Sequence, residues 1–317
     1  MSTPVLREIA GRFVGGDDLP AGLAAVRGLN AGGIKGSLNF HGMHVRDAEE
    51  AKRAADQAID ALRRIREEGL DSHVSVKLTK IGLDVDATLC RTQLRRILDC
   101  AAGTGGFVRI DMEESVYVEE TLRTFEQMQD HYGGGTVGVV IQSYLRDRSG
   151  DLDRLLDRGA SIRLVKGGYR EPRSRVFHAK AEIDAAFKRD IERLLKRGIS
   201  PAIATHDEDA IAWTRARQEQ LGLGKDAIEF QMLLGVRLDL QEALVADGYT
   251  VRAYVPYGGD WAAHLAGCIG RIPADALARL SRSASGRRKP GFASPWLGTA
   301  SRDRSGVVVE RRRRWPE

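Results

Sequence analysis

Short runs of apolar and β-branched residues alternate along the chain with longer amphipathic stretches, and the alternation repeats eight times. The strand-like runs fall at 34–40, 74–78, 107–111, 137–142, 162–166, 202–205, 228–231 and 251–255. Helical patterns follow at about 45–68, 86–102, 118–132, 177–197, 207–220 and 238–247, and a last helix begins near Asp260. No helix is assigned between 142 and 162. Residues 4–30, ahead of the first strand, read as two helices, the second rich in alanine and leucine. The run 137–142 is almost continuously apolar, as a strand covered on both faces requires.

Eight βα units in series predict an α/β fold, a (βα)8 TIM-like barrel with N-terminal helices, rather than an open doubly wound sheet. An open sheet of that kind would carry Gly-x-Gly-x-x-Gly after its first strand, and none follows Phe40. The expected organisation is an N-terminal helical segment over 1–33, one barrel over 34–282 and a basic tail over 283–317.

Composition narrows the picture. Of 317 residues, 42% are hydrophobic, enough for a large core, and barrels of this length form one domain. The 35 glycines suit many short turns between repeated elements. The net charge of +5 owes much to Arg287, Arg288, Lys289 and Arg311 to Arg314. Such a tail is ordinarily a solvated face; contact with an anionic membrane surface stays open. No nucleic-acid-binding signature is present, so a nucleic-acid partner is not expected. Three cysteines, Cys90, Cys100 and Cys268, offer neither a disulfide framework nor metal spacing, so no metal is expected. Ser2, Thr3 and Pro4 do not lead into an apolar signal stretch, and no run approaches the roughly 18 apolar residues of a membrane span. The expected location is the cytoplasm, with peripheral membrane contact and association of identical copies left open.

In such a barrel the chemistry sits at the C-terminal ends of the strands. There the sequence places Lys77, Asp111, Gln142, Arg163, Lys166, Thr205, His206, Gln231 and Tyr254. Each alone has a bland reading: Asp111 as a helix cap, Lys166 as a partner of Glu113 or Glu114, Thr205 or His206 as a satisfied core group. Together they imply something polar at the centre, because buried polar groups are costly unless paired. The set is rich in cations and amide donors. It lacks the spaced carboxylates of a glycosidase, a Ser-His-Asp constellation with its Gly-x-Ser-x-Gly elbow, and zinc ligands. Arg163 and Lys166, with Gly167 and Gly168 beyond them, suit a phosphate-bearing cofactor.

Six ordered motifs, Val74-Ser75-Val76-Lys77-Leu78-Thr79, Arg109-Ile110-Asp111-Met112-Glu113, Arg163-Leu164-Val165-Lys166-Gly167, Ala204-Thr205-His206-Asp207, Glu229-Phe230-Gln231-Met232-Leu233 and Tyr254-Val255-Pro256-Tyr257-Gly258, resemble those of the proline dehydrogenase family. The resemblance runs from about Phe13 to about Pro273. It implies FAD at the strand C-termini and a small amine or amino-acid-like substrate. Arg163 would stand at the flavin N5 edge. Gln142, Lys166, Gly167, Thr205, His206 and Gln231 would hold the cofactor, and Lys77 the substrate carboxylate. Asp111, Leu233 and Tyr254 would line the substrate side. The electron acceptor would be a quinone or oxygen.

One stretch departs from the family. The family's last helix carries a tyrosine, two adjacent arginines that hold the proline carboxylate, and a glutamate. Here His264 takes the tyrosine place, Gly267 and Cys268 the arginine places, and Arg271 falls near the glutamate. Met43 stands where an early family glutamate is expected. Losing two guanidinium–carboxylate contacts removes roughly 1.5–3 kcal/mol each. His264, Cys268 and Arg271 are therefore candidate substrate-side residues, although a packed histidine and a buried cysteine are the commoner states. Three readings stay open: an FAD-dependent dehydrogenase of another amine, imino acid or hydrazine-type substrate; a genuine L-proline dehydrogenase in which Arg271 reaches the carboxylate; and an inactive flavin-binding homologue.

Overall fold

A computed structural model describes residues 13–259, except 43, 147 and 198–200. Eight parallel strands, β1 (Lys35–Phe40), β2 (Ser72–Val76), β3 (Val108–Ile110), β4 (Val137–Gln142), β5 (Ser161–Val165), β6 (Ala202–Ala204), β7 (Glu229–Leu233) and β8 (Thr250–Tyr257), close into a barrel in chain order. Closure joins β1 to β8 in the register Ser37 opposite Tyr254. The described helices are α1 (Leu19–Ala31), α2 (Ala48–Glu67), α3 (Ala87–Thr104), α4 (Val118–Tyr132), α5 (Ser149–Asp157), α6 (Lys180–Lys196), α7 (Glu208–Gln220) and α8 (Leu238–Ala246).

Each strand shows one set of alternate residues to the helices and the other to the barrel axis. The outward set is apolar: Leu38, Val74, Val108, Ile110, Val139, Ile162, Leu164, Ile203, Phe230 and Val251 are buried in the layer between sheet and helices. Helix starts are cut by aspartates. Asp18, Asp47, Asp86 and Asp207 each accept a backbone N–H of the following first turn, a contact worth ~1 kcal/mol over alanine.

The predicted barrel is present, and the order of its strands is as read. One expectation is corrected: a helix stands between β4 and β5, where α5 buries Leu152, Leu155 and Leu156 on one face. It is only nine residues long and its N-cap, Arg148, makes no side-chain capping bond, so the usual start signal is missing. Helix α1 packs on the outer faces of β1 and β8, with Val26 buried over Gly36. At Gly22 a Cβ would stand 3.1 Å from Leu38 and 3.2 Å from Tyr257, so the helix lies close against the sheet where it lacks a side chain. The proposed tail, 283–317, lies outside the described residues.

Candidate active site

The inward set of strand residues is polar, and it forms a connected column. On β5, the alternate positions Ser161, Arg163 and Val165 face the axis. Arg163 is 4% exposed and sits at the centre of the barrel. Its Nε donates to Gln231 Oε1 on β7 at 2.5 Å. Its Nη1 donates to Asp111 Oδ1, just past β3, at 2.7 Å. Its Nη2 donates to Ser37 Oγ on β1 at 3.3 Å and Ser75 Oγ on β2 at 3.2 Å. Three strands and the residue that follows a fourth thus orient one guanidinium. Its Cζ also lies 5.5 Å from the centre of the Tyr254 ring.

Above Arg163, the Tyr254 hydroxyl donates to Asp111 Oδ2 at 2.7 Å. Burial, and then the Asp111 charge, push the Tyr254 phenol well above its ordinary pKa, so it remains a neutral donor. Lys77 reaches the same pair more loosely: its Nζ lies 3.4 Å from the Tyr254 hydroxyl and 3.6 Å from Asp111 Oδ2. Both distances are longer than a good charge-assisted hydrogen bond. Asp111 is therefore no helix cap; it is the carboxylate on which Arg163, Tyr254 and Lys77 converge.

Around this centre the other predicted residues take separate places. Gln142 Nε2 donates to the Glu113 carbonyl at 2.9 Å. His206 Nε2 accepts the Leu233 backbone N–H at 2.9 Å, which fixes a neutral imidazole with its proton on Nδ1. Burial, and then Arg237, lower the His206 pKa to about 4. Thr205 Oγ1 accepts the Asp207 N–H at 3.2 Å. Lys166 pairs with Asp207 at 2.5 Å and with Asp184, not with Glu113 or Glu114. Glu113 instead is fully buried and accepts both the N–H and the hydroxyl of Thr79. Gly167 has its own reason to be glycine: at φ 113° a Cβ would stand 2.1 Å from the Tyr144 ring. Leu233 ends β7 on the inward side beside Tyr254. His264, Gly267, Cys268, Arg271 and Met43 lie outside the described residues.

Three inward-facing groups below Arg163 escaped the sequence reading. Arg252 on β8 grips Glu229 on β7 with two bonds, at 2.9 and 3.0 Å, and donates to the Gly36 carbonyl at 2.7 Å. Arg109 on β3 donates to the Ser161 carbonyl at 2.6 Å. Burial, and then the Arg163 charge, lower the Arg109 pKa to about 9. The signal for all three was period-two alternation, which puts Arg109 on the face of Asp111, Glu229 on that of Gln231 and Arg252 on that of Tyr254. Among the described residues no group of three or more His, Cys, Asp or Glu is placed to hold a metal.

A closed parallel barrel with cations and amides at its C-terminal mouth is the layout of TIM-barrel enzymes, whose chemistry sits at that end. The chain matches the proline dehydrogenase family over residues 23–262. It is 38% identical over 271 residues to a proline dehydrogenase of Deinococcus radiodurans, covering 84% of this chain and 87% of that one. It is 36% identical over 255 residues to proline dehydrogenase 2 of Bacillus subtilis, covering 80% and 84%. The fold matches proline utilization A of Bdellovibrio bacteriovorus, crystallised after inactivation by N-propargylglycine, with TM-score 0.77 at 22% identity. That match covers 92% of this chain but only 38% of the solved one, so the chain spans little more than a third of that protein. The chain belongs to the proline dehydrogenase family, a family of FAD-dependent oxidoreductases.

One donor at the centre of the barrel is left for that cofactor. Among the described residues, protein partners use four of the five N–H donors of Arg163. On the same rim Lys166 and the N-terminus of α7 stand together, both already met by carboxylates: Asp184 and Asp207 on the lysine, and Asp207 on the Asp209 and Ala210 N–H groups.

Proposed function

We propose that this chain is an FAD-dependent dehydrogenase that acts on a small amino-acid-like amine other than proline, with Arg163 beside the flavin and Lys77 on the substrate carboxylate. The observation that carries the reading is the loosely held Lys77 beside the tightly held Asp111–Arg163–Tyr254 group. A carboxylate at ordinary hydrogen-bond distance is a better partner for Lys77 than either contact it has.

In the reaction the substrate C–H bond beside the nitrogen breaks, both electrons leave as hydride, and the nitrogen lone pair forms the C=N bond. When bound, FAD supplies the two-electron acceptor for that hydride. Lys77 orients the substrate by its carboxylate. Asp111 and the neutral Tyr254 hydroxyl hold the substrate side of Arg163, and Arg163 presents fixed positive charge where negative charge develops. Gln142, Lys166, Thr205, His206 and Gln231 are the residues assigned to the cofactor. Holding the two reactants in register is the larger part of the work.

Support for a substrate other than proline comes from the chain's own sequence. The family match ends at residue 262, ahead of Gly267 and Cys268, which stand where the family has its carboxylate-binding arginines. The relatives' names favour a second reading, L-proline itself. The family's small amino-acid substrates and quinone-type acceptors suit either one. No helix among the described residues is long and apolar enough to cross a membrane.

The test is anaerobic reduction of the purified yellow protein. Prompt bleaching by L-proline would establish the second reading and remove the first. Bleaching by another secondary amine or a hydrazino acid, with proline inert, is the expected result. A colourless protein that takes up no added FAD would overturn both.

A further inference from the structure

We propose that Glu229, paired with Arg252 at the floor of the barrel, is a positioning residue for the reaction: it fixes the Gln231 amide in the one orientation that gives Arg163 an acceptor. The inference rests on the placement of FAD beside Arg163 in the reading above.

The argument starts from the two neighbours of the Gln231 amide, which is 3% exposed. On one side stands the Glu229 carboxylate, which only accepts, and Gln231 Nε2 donates to its Oε1. On the other stands the Arg163 guanidinium, which only donates, and its Nε reaches Gln231 Oε1 at 2.5 Å. A primary amide has one accepting and one donating end. An acceptor-only group below and a donor-only group above therefore dictate the same orientation. Arg252 holds Glu229 in place through the two-bond pair and is itself tied to the Gly36 carbonyl. Burial by itself would raise the Glu229 pKa; Arg252, with the bonds from Arg252 and Gln231, outweighs it and keeps the carboxylate charged.

The column is thus directional: Gly36 carbonyl, Arg252, Glu229, Gln231, Arg163, Asp111, Tyr254. Each link alternates donor and acceptor. Arg163 is gripped from above by Asp111 and from the side by two serines at 3.2–3.3 Å, which are weaker anchors. Gln231 is the anchor of Nε. With a neutral group at 229 only Arg163 is left to orient the amide strongly, so Gln231 Oε1 is less firmly held and the anchor of Arg163 Nε weakens. A residue on the floor of the barrel then controls the geometry of a group at its active end.

A plain charge effect predicts the opposite sign. Removing a buried negative charge makes the barrel more positive, favours the reduced flavin and raises its midpoint potential. Releasing Arg163 withdraws positive charge from the flavin and lowers the potential. The experiment is a dye-equilibrated reductive titration of the FAD-loaded protein, without substrate, for Glu229→Gln and Gln231→Met, each also made in an Arg163→Met background. The expected result is a lowered potential of the bound flavin for both single variants, and no further lowering once Arg163 is gone. A raised or unshifted potential in both single variants would overturn the proposal. Should Glu229→Gln fail to fold because Arg252 loses its partner, Glu229→Gln combined with Arg252→Gln leaves a neutral pair there and decides instead: a lowered potential supports the proposal, and a raised or unshifted one overturns it. Wild-type protein that binds no FAD would instead defeat the underlying reading, before any variant is compared.

Discussion

The Tyr254 hydroxyl and the Asp111 carboxylate meet at 2.7 Å across the mouth of the barrel, and the other Asp111 oxygen is held by Arg163 at the same distance. Removing the hydroxyl leaves one lone pair of a nearly buried carboxylate without its partner, a loss of ~1–3 kcal/mol. Tyr254→Phe is therefore expected to lower kcat/KM about tenfold while secondary structure is kept. Because the phenol is pushed well above its ordinary pKa, wild-type activity should show no tyrosine-dependent limb as far as pH 10. A pH–rate profile on the alkaline side checks it.

Lys77→Met keeps most of the aliphatic stem and deletes the charge. Its contacts within the protein are long, so stability should change little. KM for a carboxylate-bearing substrate should rise at least tenfold, since a hydrogen bond to a charged group contributes about 1.5–3 kcal/mol. The same amine without its carboxylate should react equally in both proteins. An unchanged KM for the acid would show that Lys77 does not hold it.

Gly167→Ala tests the packing of the β5 loop. A new Cβ would fall 2.1 Å from the Tyr144 ring at a backbone angle that suits glycine. The cost is at least ~1–3 kcal/mol, by overpacking alone. A drop of several degrees in the melting temperature is expected, with partial relief when Tyr144→Ala is combined with it. Independent, additive losses would separate the two residues.

Acid stability follows from His206. Its folded pKa of about 4 lies below the free value of 6.5. As pH falls, the unfolded chain takes up the proton first. The stability tied to the neutral ring is complete above pH 6.5 and is lost progressively between 6.5 and about 4. At roughly 1.4 kcal/mol per unit the loss is bounded by about 3 kcal/mol. Urea unfolding at pH 7.5 and 4.5 should show a smaller pH effect in His206→Gln, which keeps an acceptor for Leu233, than in wild type. Equal pH effects would place the proton elsewhere.

How much of this was readable in advance depended on which face of a strand a residue occupies. The eight strands were legible because their outward faces are unbroken apolar rows, as in Val108 and Ile110 or Ile162 and Leu164. The residues at strand ends stood out as polar punctuation, so Lys77, Asp111, Gln142 and Lys166 were found. Glu229, Arg252 and Arg109 were not, because each sits within an apolar run and only strict alternation betrays its inward direction. The pairing of Lys166 with Asp184 and Asp207 was also hidden. It joins residues 18 and 41 positions apart that only the closed barrel brings to one rim. Helix α5 was lost for a local reason, a short apolar face with no capping side chain to announce it.

The column through the barrel carries three cations, Arg252, Arg163 and Lys77, and two carboxylates, Glu229 and Asp111, with Arg109 close beside. A chamber with surplus fixed cations behaves like a weak anion exchanger. With Lys77 on the substrate carboxylate as proposed, phosphate, sulfate and acetate in a buffer are expected to compete for that place, and turnover is expected to vary with salt. Assays in a bulky zwitterionic buffer at constant ionic strength are the ones in which substrate preference can be compared.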